Sequence, residues 1–158
     1  MFKIVIIYDS KTGNTENMAK AIADGAKSVK GVNVILKKLG ETFSSTILCD
    51  ADAIILGSPS HHGHVTPDML VFLADLNEAI DSGTLTVDGK IGLAFGSYGW
   101  DGGICIEKLS AEMTKLGLKM NQNAIAKATP IPNSSFDVAF FKDCQEAGKN
   151  LAKKISIK

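Results

Sequence analysis

Two rhythms of apolar residues alternate along this chain. Lys3-Ile4-Val5-Ile6-Ile7-Tyr8 is an unbroken, largely β-branched run, the pattern of a strand covered on both faces. From Asn14 to Val29 the period changes: Met18, Ala19, Ile22, Ala23, Ala26 and Val29 share one helical face, opposite Glu16, Lys20, Asp24 and Lys27. Val32 to Leu39 reads as a second strand, and its Lys37-Lys38 end suggests an exposed edge. Ala53-Ile54-Ile55-Leu56-Gly57 and Ile91-Gly92-Leu93-Ala94-Phe95 read as further central strands. Thr66-Pro67 gives an N-cap followed by proline at the first helical position, with Met69, Leu70, Phe72, Leu73, Leu76 and Ile80 as the expected buried face. A third helix carries Ile106, Leu109, Met113 and Leu116 and ends at Gly117, where a left-handed cap is cheap. The last helix is expected to open near Asp137, stapled by Phe136 and Phe141. A fifth strand fits Leu118–Asn121, Ala124–Lys127, or part of both.

Strands alternating with helices over short connections predict an α/β fold: a five-stranded parallel sheet of order 2-1-3-4-5 with helices on both faces. In that order the binding crevice lies at the carboxyl ends of the first and third strands, which directs attention to the loops after Tyr8, Gly57 and Phe95. No linker, repeat or low-complexity tract divides the 158 residues, so one domain over 1–158 is expected.

Composition narrows the chemistry. The chain is 45% hydrophobic, enough for a core. It has 17 basic and 17 acidic residues, which argues against nucleic acid as a partner. All the basic residues are lysines, so a phosphate must be held by backbone amides, hydroxyls or lysine rather than by a guanidinium fork. The apolar runs are too short for membrane insertion, and Met1-Phe2-Lys3 leaves no room for a signal peptide before the first strand. Cys49, Cys105 and Cys144 are odd in number and widely spaced, which suggests buried free thiols in a reducing, cytoplasmic setting.

After the first strand, Asp9-Ser10-Lys11-Thr12-Gly13-Asn14-Thr15 opens a helix directly. Free amides at a helix start, a flexible glycine and three hydroxyls suit a phosphate; the same residues also suit an ordinary capped helix start. Neither GxxxxGK[ST] nor GxGxxG is present. The second loop is Gly57-Ser58-Pro59-Ser60-His61-His62-Gly63-His64, and the third is Gly96-Ser97-Tyr98-Gly99-Trp100-Asp101-Gly102-Gly103. Aromatics in a glycine-bearing loop either plug the sheet edge or offer flat surfaces to a planar ligand. A phosphate cradle beside an aromatic platform suits a phosphorylated heteroaromatic, and flavin mononucleotide (FMN) meets both demands.

With these loops the sequence resembles the flavodoxin family. Ser10-Lys11-Thr12-Gly13-Asn14-Thr15 looks like its [ST]-x-T-G-x-T phosphate loop, and the likeness covers essentially the whole chain in the short-chain form. The third loop, with Gly57-Ser58-Pro59-Ser60 and the helix at Pro67, looks most like the flavodoxin domain of A-type flavoproteins (flavo-diiron proteins), here standing alone. The resemblance implies a three-layer sandwich in which Ser10, Thr12 and Thr15 hydroxyls, with the amides from Lys11 through Thr12, Gly13 and Asn14 to Thr15, hold the phosphate. Pro59, Ser60, His61, His62 and Gly63 would line one edge of the ring; Ser97, Tyr98, Gly99, Trp100 and Gly103 would line the other, with Tyr98 or Trp100 stacking. A peptide at Gly63 would turn its carbonyl toward the flavin N5, favouring single-electron transfer, since glycine tolerates positive φ. Lys11 would add charge attraction or point to solvent; Asp9 and Asp101 would lend negative potential or cap turns.

The chain departs from the family in three respects. It is neutral where well-studied flavodoxins are acidic, it carries His61, His62 and His64 where short-chain members place an aromatic, and it has no di-iron ligand set. The HHxH spacing matches no standard metal site, which favours solvated imidazoles. A protonated imidazole about 10 Å from a reduced anionic flavin is worth roughly 1–2 kcal/mol at an effective dielectric near 20. The expected function is an FMN electron carrier, monomeric or weakly oligomeric, working between redox partner proteins. The alternative is an FMN-dependent NAD(P)H:quinone or flavin reductase of the WrbA-like type. A phosphorylation receiver would need an aspartate ending the third strand, where Gly57-Ser58 stands, and a cofactor-free interaction module would be colourless.

Overall fold

In the computed structural model, residues 1–99, 101–120, 122–128 and 141–157 are described. The strands are β1 (Phe2–Tyr8), β2 (Val32–Lys38), β3 (Ala53–Gly57), β4 (Ile91–Tyr98), β5 (Lys119–Met120) and β6 (Ile125–Ala128). The helices are α1 (Asn14–Lys27), α2 (Pro67–Asp81), α3 (Ile104–Lys115) and α4 (Lys142–Ser156), with a short 3-10 turn at Ser45–Leu48. All strand pairs are parallel and follow the order β2-β1-β3-β4-β5, with β6 also on β4. The expected strand order is therefore the observed one. The fifth position is shared: β5 pairs Ile91 and Gly92 at the start of β4, and β6 pairs Phe95 to Tyr98 at its end.

The unbroken apolar run of β1 is explained by its two covered faces. Ile4, Ile6 and Tyr8 pack with α1 and α4, while Val5 and Ile7 pack with α2 and α3. The same alternation sends Ile55, Leu93 and Phe95 to the first core and Ile54, Leu56 and Ala94 to the second. Each core thus draws one side chain in two from the central strands.

Two local expectations are corrected by packing. Leu70 is 52% exposed rather than buried, because Met69, Leu73 and Leu76 already fill the inner face of α2. Cys105 and Cys144 are buried free thiols as expected, but Cys49 is exposed, just beyond the 3-10 turn. The expected helix opening at Asp137 and its Phe136 staple lie outside the described residues; the described part of that helix is α4 from Lys142.

Helices α1 and α4 touch backbone to backbone. A Cβ on Gly148 would press on the Ile22 carbonyl, and one on Gly25 on the Gln145 carbonyl. These neighbours are main chain and cannot swing aside, so Gly148→Ala is expected to lower stability by about 1–3 kcal/mol despite alanine's better helix propensity. Urea unfolding measures this, with exposed Asn150→Ala as the control; equal midpoints for Gly148→Ala and wild type would show that the helices are not this close.

Candidate functional site

The parallel order brings three loops to one end of the sheet: residues 9–13 after β1, 58–66 after β3 and 99–103 after β4. Helices α1 and α3 start from this end on Gly13 (φ 93°) and Gly103 (φ 90°), which have no side chain of their own to cap with, so other residues must accept from these starts. Helix α2 differs, because Thr66 caps it by accepting from the Met69 amide at 3.3 Å.

In the first loop, Ser10 Oγ accepts from the Gly13 and Glu16 amides at 3.1 and 3.3 Å. Thr12 is exposed and accepts from the Asn14 side-chain amide at 3.1 Å. Thr15 is 1% exposed, and its hydroxyl shares a 2.9 Å hydrogen bond with that of Ser97, 3% exposed, on β4. The backbone amides of Lys11, Thr12, Asn14 and Thr15 meet no protein acceptor among the described residues. Of these four residues Thr15 is buried, Asn14 is half-buried and Lys11 and Thr12 are exposed; open donors converging at one helix start are what an anion satisfies. The Lys11 ammonium is not aimed at them. It lies 3.5 Å from Asp9 and 3.4 Å from Asp68, and Asp9, followed by the bond to Asp68, raises its pKa and keeps it charged.

The middle loop ends in a two-residue turn. His61 and His64 exchange backbone hydrogen bonds at 2.6 and 3.1 Å around His62 (φ 52°) and Gly63 (φ 79°). Both central residues have positive φ, the primed geometry, which Gly63 accepts freely and His62 adopts at some strain. The imidazoles of His61 and His62 are exposed and meet edge to face at 4.7 Å between centroids. The Gly63 carbonyl accepts from Lys108 on α3 at 3.4 Å. Among the described residues no group of His, Cys, Asp and Glu could hold a metal.

Pro59 and Ser60 are half-buried, and Ser60 joins the middle loop to the third. Its amide donates to the Ser97 carbonyl at 2.7 Å and its hydroxyl to Asp101 at 2.5 Å. Asp101 also accepts from the Gly103 amide at 3.0 Å and the Cys105 amide at 3.4 Å, its carboxylate capping the start of α3. Burial pushes the Asp101 carboxyl up, but donation from Ser60, Gly103 and Cys105 outweighs it and holds the group below its ordinary value. Burial drives the adjacent Cys105 thiol up to about 11, so it stays protonated. Tyr98 is half-buried beside Gly103, Gly99 is exposed with open space around it, and Trp100 lies outside the described residues.

Sequence reasoning named Asp9 and Asp101 without their partners. The structure makes each a tie between loops: Asp101 to Ser60, and Asp9 to Thr66, whose hydroxyl it receives at 2.5 Å. An aspartate directly after an apolar strand was the available signal, but Thr66 is 57 positions away and spacing cannot pair the two.

A strand-loop-helix unit with unsatisfied amides, set among two further loops at the same sheet end, defines a doubly wound α/β protein built to hold a phosphorylated ligand. The comparisons specify the class. The family model described as Flavodoxin matches residues 6–131, and the chain belongs to the flavodoxin family, whose members are FMN-binding electron-transfer proteins. A flavodoxin of Aquifex aeolicus is 42% identical over 104 residues, covering 65% of this chain and 54% of that protein. A flavodoxin structure from the domain Archaea matches with a TM-score of 0.82 at 27% identity, over 98% of this chain and 99% of that one. The rubredoxin:oxygen oxidoreductase of Desulfovibrio gigas matches with a TM-score of 0.80 at 27% identity, over 98% of this chain and 36% of that one. The chain spans 54% and 36% of the lengths of the curated relatives it matches.

Asp101→Asn is expected to cost about 0.5–2 kcal/mol at neutral pH, the range for losing a helix cap. Because the folded carboxyl titrates below its unfolded value, its contribution is present above about pH 4 and fades as the pH falls further. Chemical unfolding of both proteins from pH 7 to pH 3 measures this; a gap that widens toward acid would contradict the assignment.

Proposed function

We propose that this chain binds FMN and works as a cytoplasmic electron-transfer protein, passing low-potential electrons between redox partner proteins. The observation that carries the reading is the set of acceptor-less amides at Lys11, Thr12, Asn14 and Thr15, beside the buried Thr15 hydroxyl. These donors, with Ser10, Thr12 and Gly13, suit a phosphate dianion without a guanidinium; Lys11 contributes its amide, its ammonium being engaged by Asp9 and Asp68. Pro59, Ser60, His61, His62 and Gly63 form one wall for the ring, and Ser97, Tyr98, Gly99 and Gly103 form the other. The Ser60–Asp101 tie holds those walls in register, and the Thr15–Ser97 bond joins the second wall to the phosphate donors. Bound FMN supplies redox chemistry in one- or two-electron steps, and the protein binds it, shields it and presents its edge. Among the described residues no helix is long and apolar enough to cross a membrane.

The purified protein, stripped and reconstituted with FMN, is expected to turn yellow, and Thr15→Val to weaken FMN by about tenfold or more. Riboflavin, which lacks the phosphate, should lose far less. A carrier runs as a monomer or weak oligomer and oxidises NAD(P)H negligibly; sustained NAD(P)H:quinone turnover by a tetramer would replace this reading with the reductase alternative.

A further inference from the structure

We propose that Asp9 is the positioning residue that fixes the phosphate loop against the middle loop, acting through Thr66 and the Ser10 amide; the inference rests on the FMN reading above. Asp9 is 2% exposed and prolongs β1, its amide donating to the Gly57 carbonyl at 3.0 Å. One carboxylate oxygen accepts from the Ser10 amide at 2.9 Å. The other receives the Thr66 hydroxyl at 2.5 Å and lies 3.5 Å from the Lys11 ammonium. Thr66 is fully buried and serves three partners at once: it donates to Asp9, accepts from the Met69 amide, and gives its own amide to Ser58 Oγ at 3.1 Å. The Ser58 hydroxyl in turn donates to the Pro59 carbonyl at 2.9 Å. One continuous chain of hydrogen bonds thus runs from the phosphate loop through a buried charge into the loop that walls the ring.

A buried carboxylate beside amides suited to an anion is electrostatically out of place. Through space alone it repels a phosphate, and Lys11 offsets that charge only from an exposed position. Its two possible actions therefore have opposite signs. If Asp9 acts only as a charge, neutralising it strengthens phosphate binding; if it acts as a clasp, neutralising it weakens binding.

The test uses Asp9→Asn, Thr66→Val, Thr66→Ser and the Asp9→Asn/Thr66→Val double variant, each checked for folding by thermal melting. FMN affinity is expected to fall about tenfold or more in Asp9→Asn and in Thr66→Val, the worth of a hydrogen bond to a buried charge. The double variant should be no weaker than the worse single within about twofold, and Thr66→Ser, which keeps the hydroxyl, should bind like wild type. In flavin-free protein the Ser10 and Gly13 amides should exchange hydrogen faster in both Asp9→Asn and Thr66→Val. Unchanged or tighter FMN binding by Asp9→Asn, or losses that multiply in the double variant, would overturn the proposal. If wild type takes up no flavin while the exchange coupling persists, the FMN reading fails and the clasp stands; unaltered exchange removes the clasp. Should Asp9→Asn not fold, Thr66→Val against Thr66→Ser decides by the same readings.

Discussion

Everything at the functional end of this molecule depends on a backbone constraint. An α-helix that begins directly after a buried strand leaves its first amides without intrahelical acceptors, and something must receive their hydrogen bonds. Helix α2 resolves this with Thr66, and α3 with Asp101. Helix α1 is resolved only in part: Ser10 takes two amides, and four others remain open. The difference among three equivalent helix starts is what suits one of them to the phosphate that the proposed function places there. A chain without arginine has few other ways to hold a phosphate, so the constraint and the composition reinforce one another.

The loops are held by side chains that the core does not need. Asp9 and Asp101 sit on either side of the middle loop and pin its two shoulders, at Thr66 and Ser60. The tip between them, His61 to His64, is a tight turn with both central residues at positive φ and its imidazoles toward solvent. Rigid shoulders with an exposed tip fit a site that must keep a cofactor in register yet present one edge to a partner.

How much of this was legible in the sequence follows the reach of the forces involved. β1, α1 and β3 were readable because burial on one or two faces imposes a period on consecutive residues. The divided fifth strand was readable only as an ambiguity: β4 extends to Tyr98, beyond the apolar run ending at Phe95, and its far half recruits Ile125–Ala128. Leu70 misled because helical periodicity cannot tell how wide a buried face will be. The ties Asp9–Thr66, Ser60–Asp101 and Thr15–Ser97 join residues 57, 41 and 82 positions apart, and no local pattern encodes such pairs. The hydroxyls and open amides proposed to hold the phosphate lie within six consecutive residues, so the sequence could single out that segment.

The most direct test of the central claim observes the open amides themselves. In 15N-labelled protein titrated with FMN and separately with riboflavin, the account requires the amide protons of Lys11, Thr12, Asn14 and Thr15 to move strongly downfield with FMN and little with riboflavin. Equal movement with both flavins, or none at these four positions while the protein turns yellow, would place the phosphate elsewhere and contradict the account.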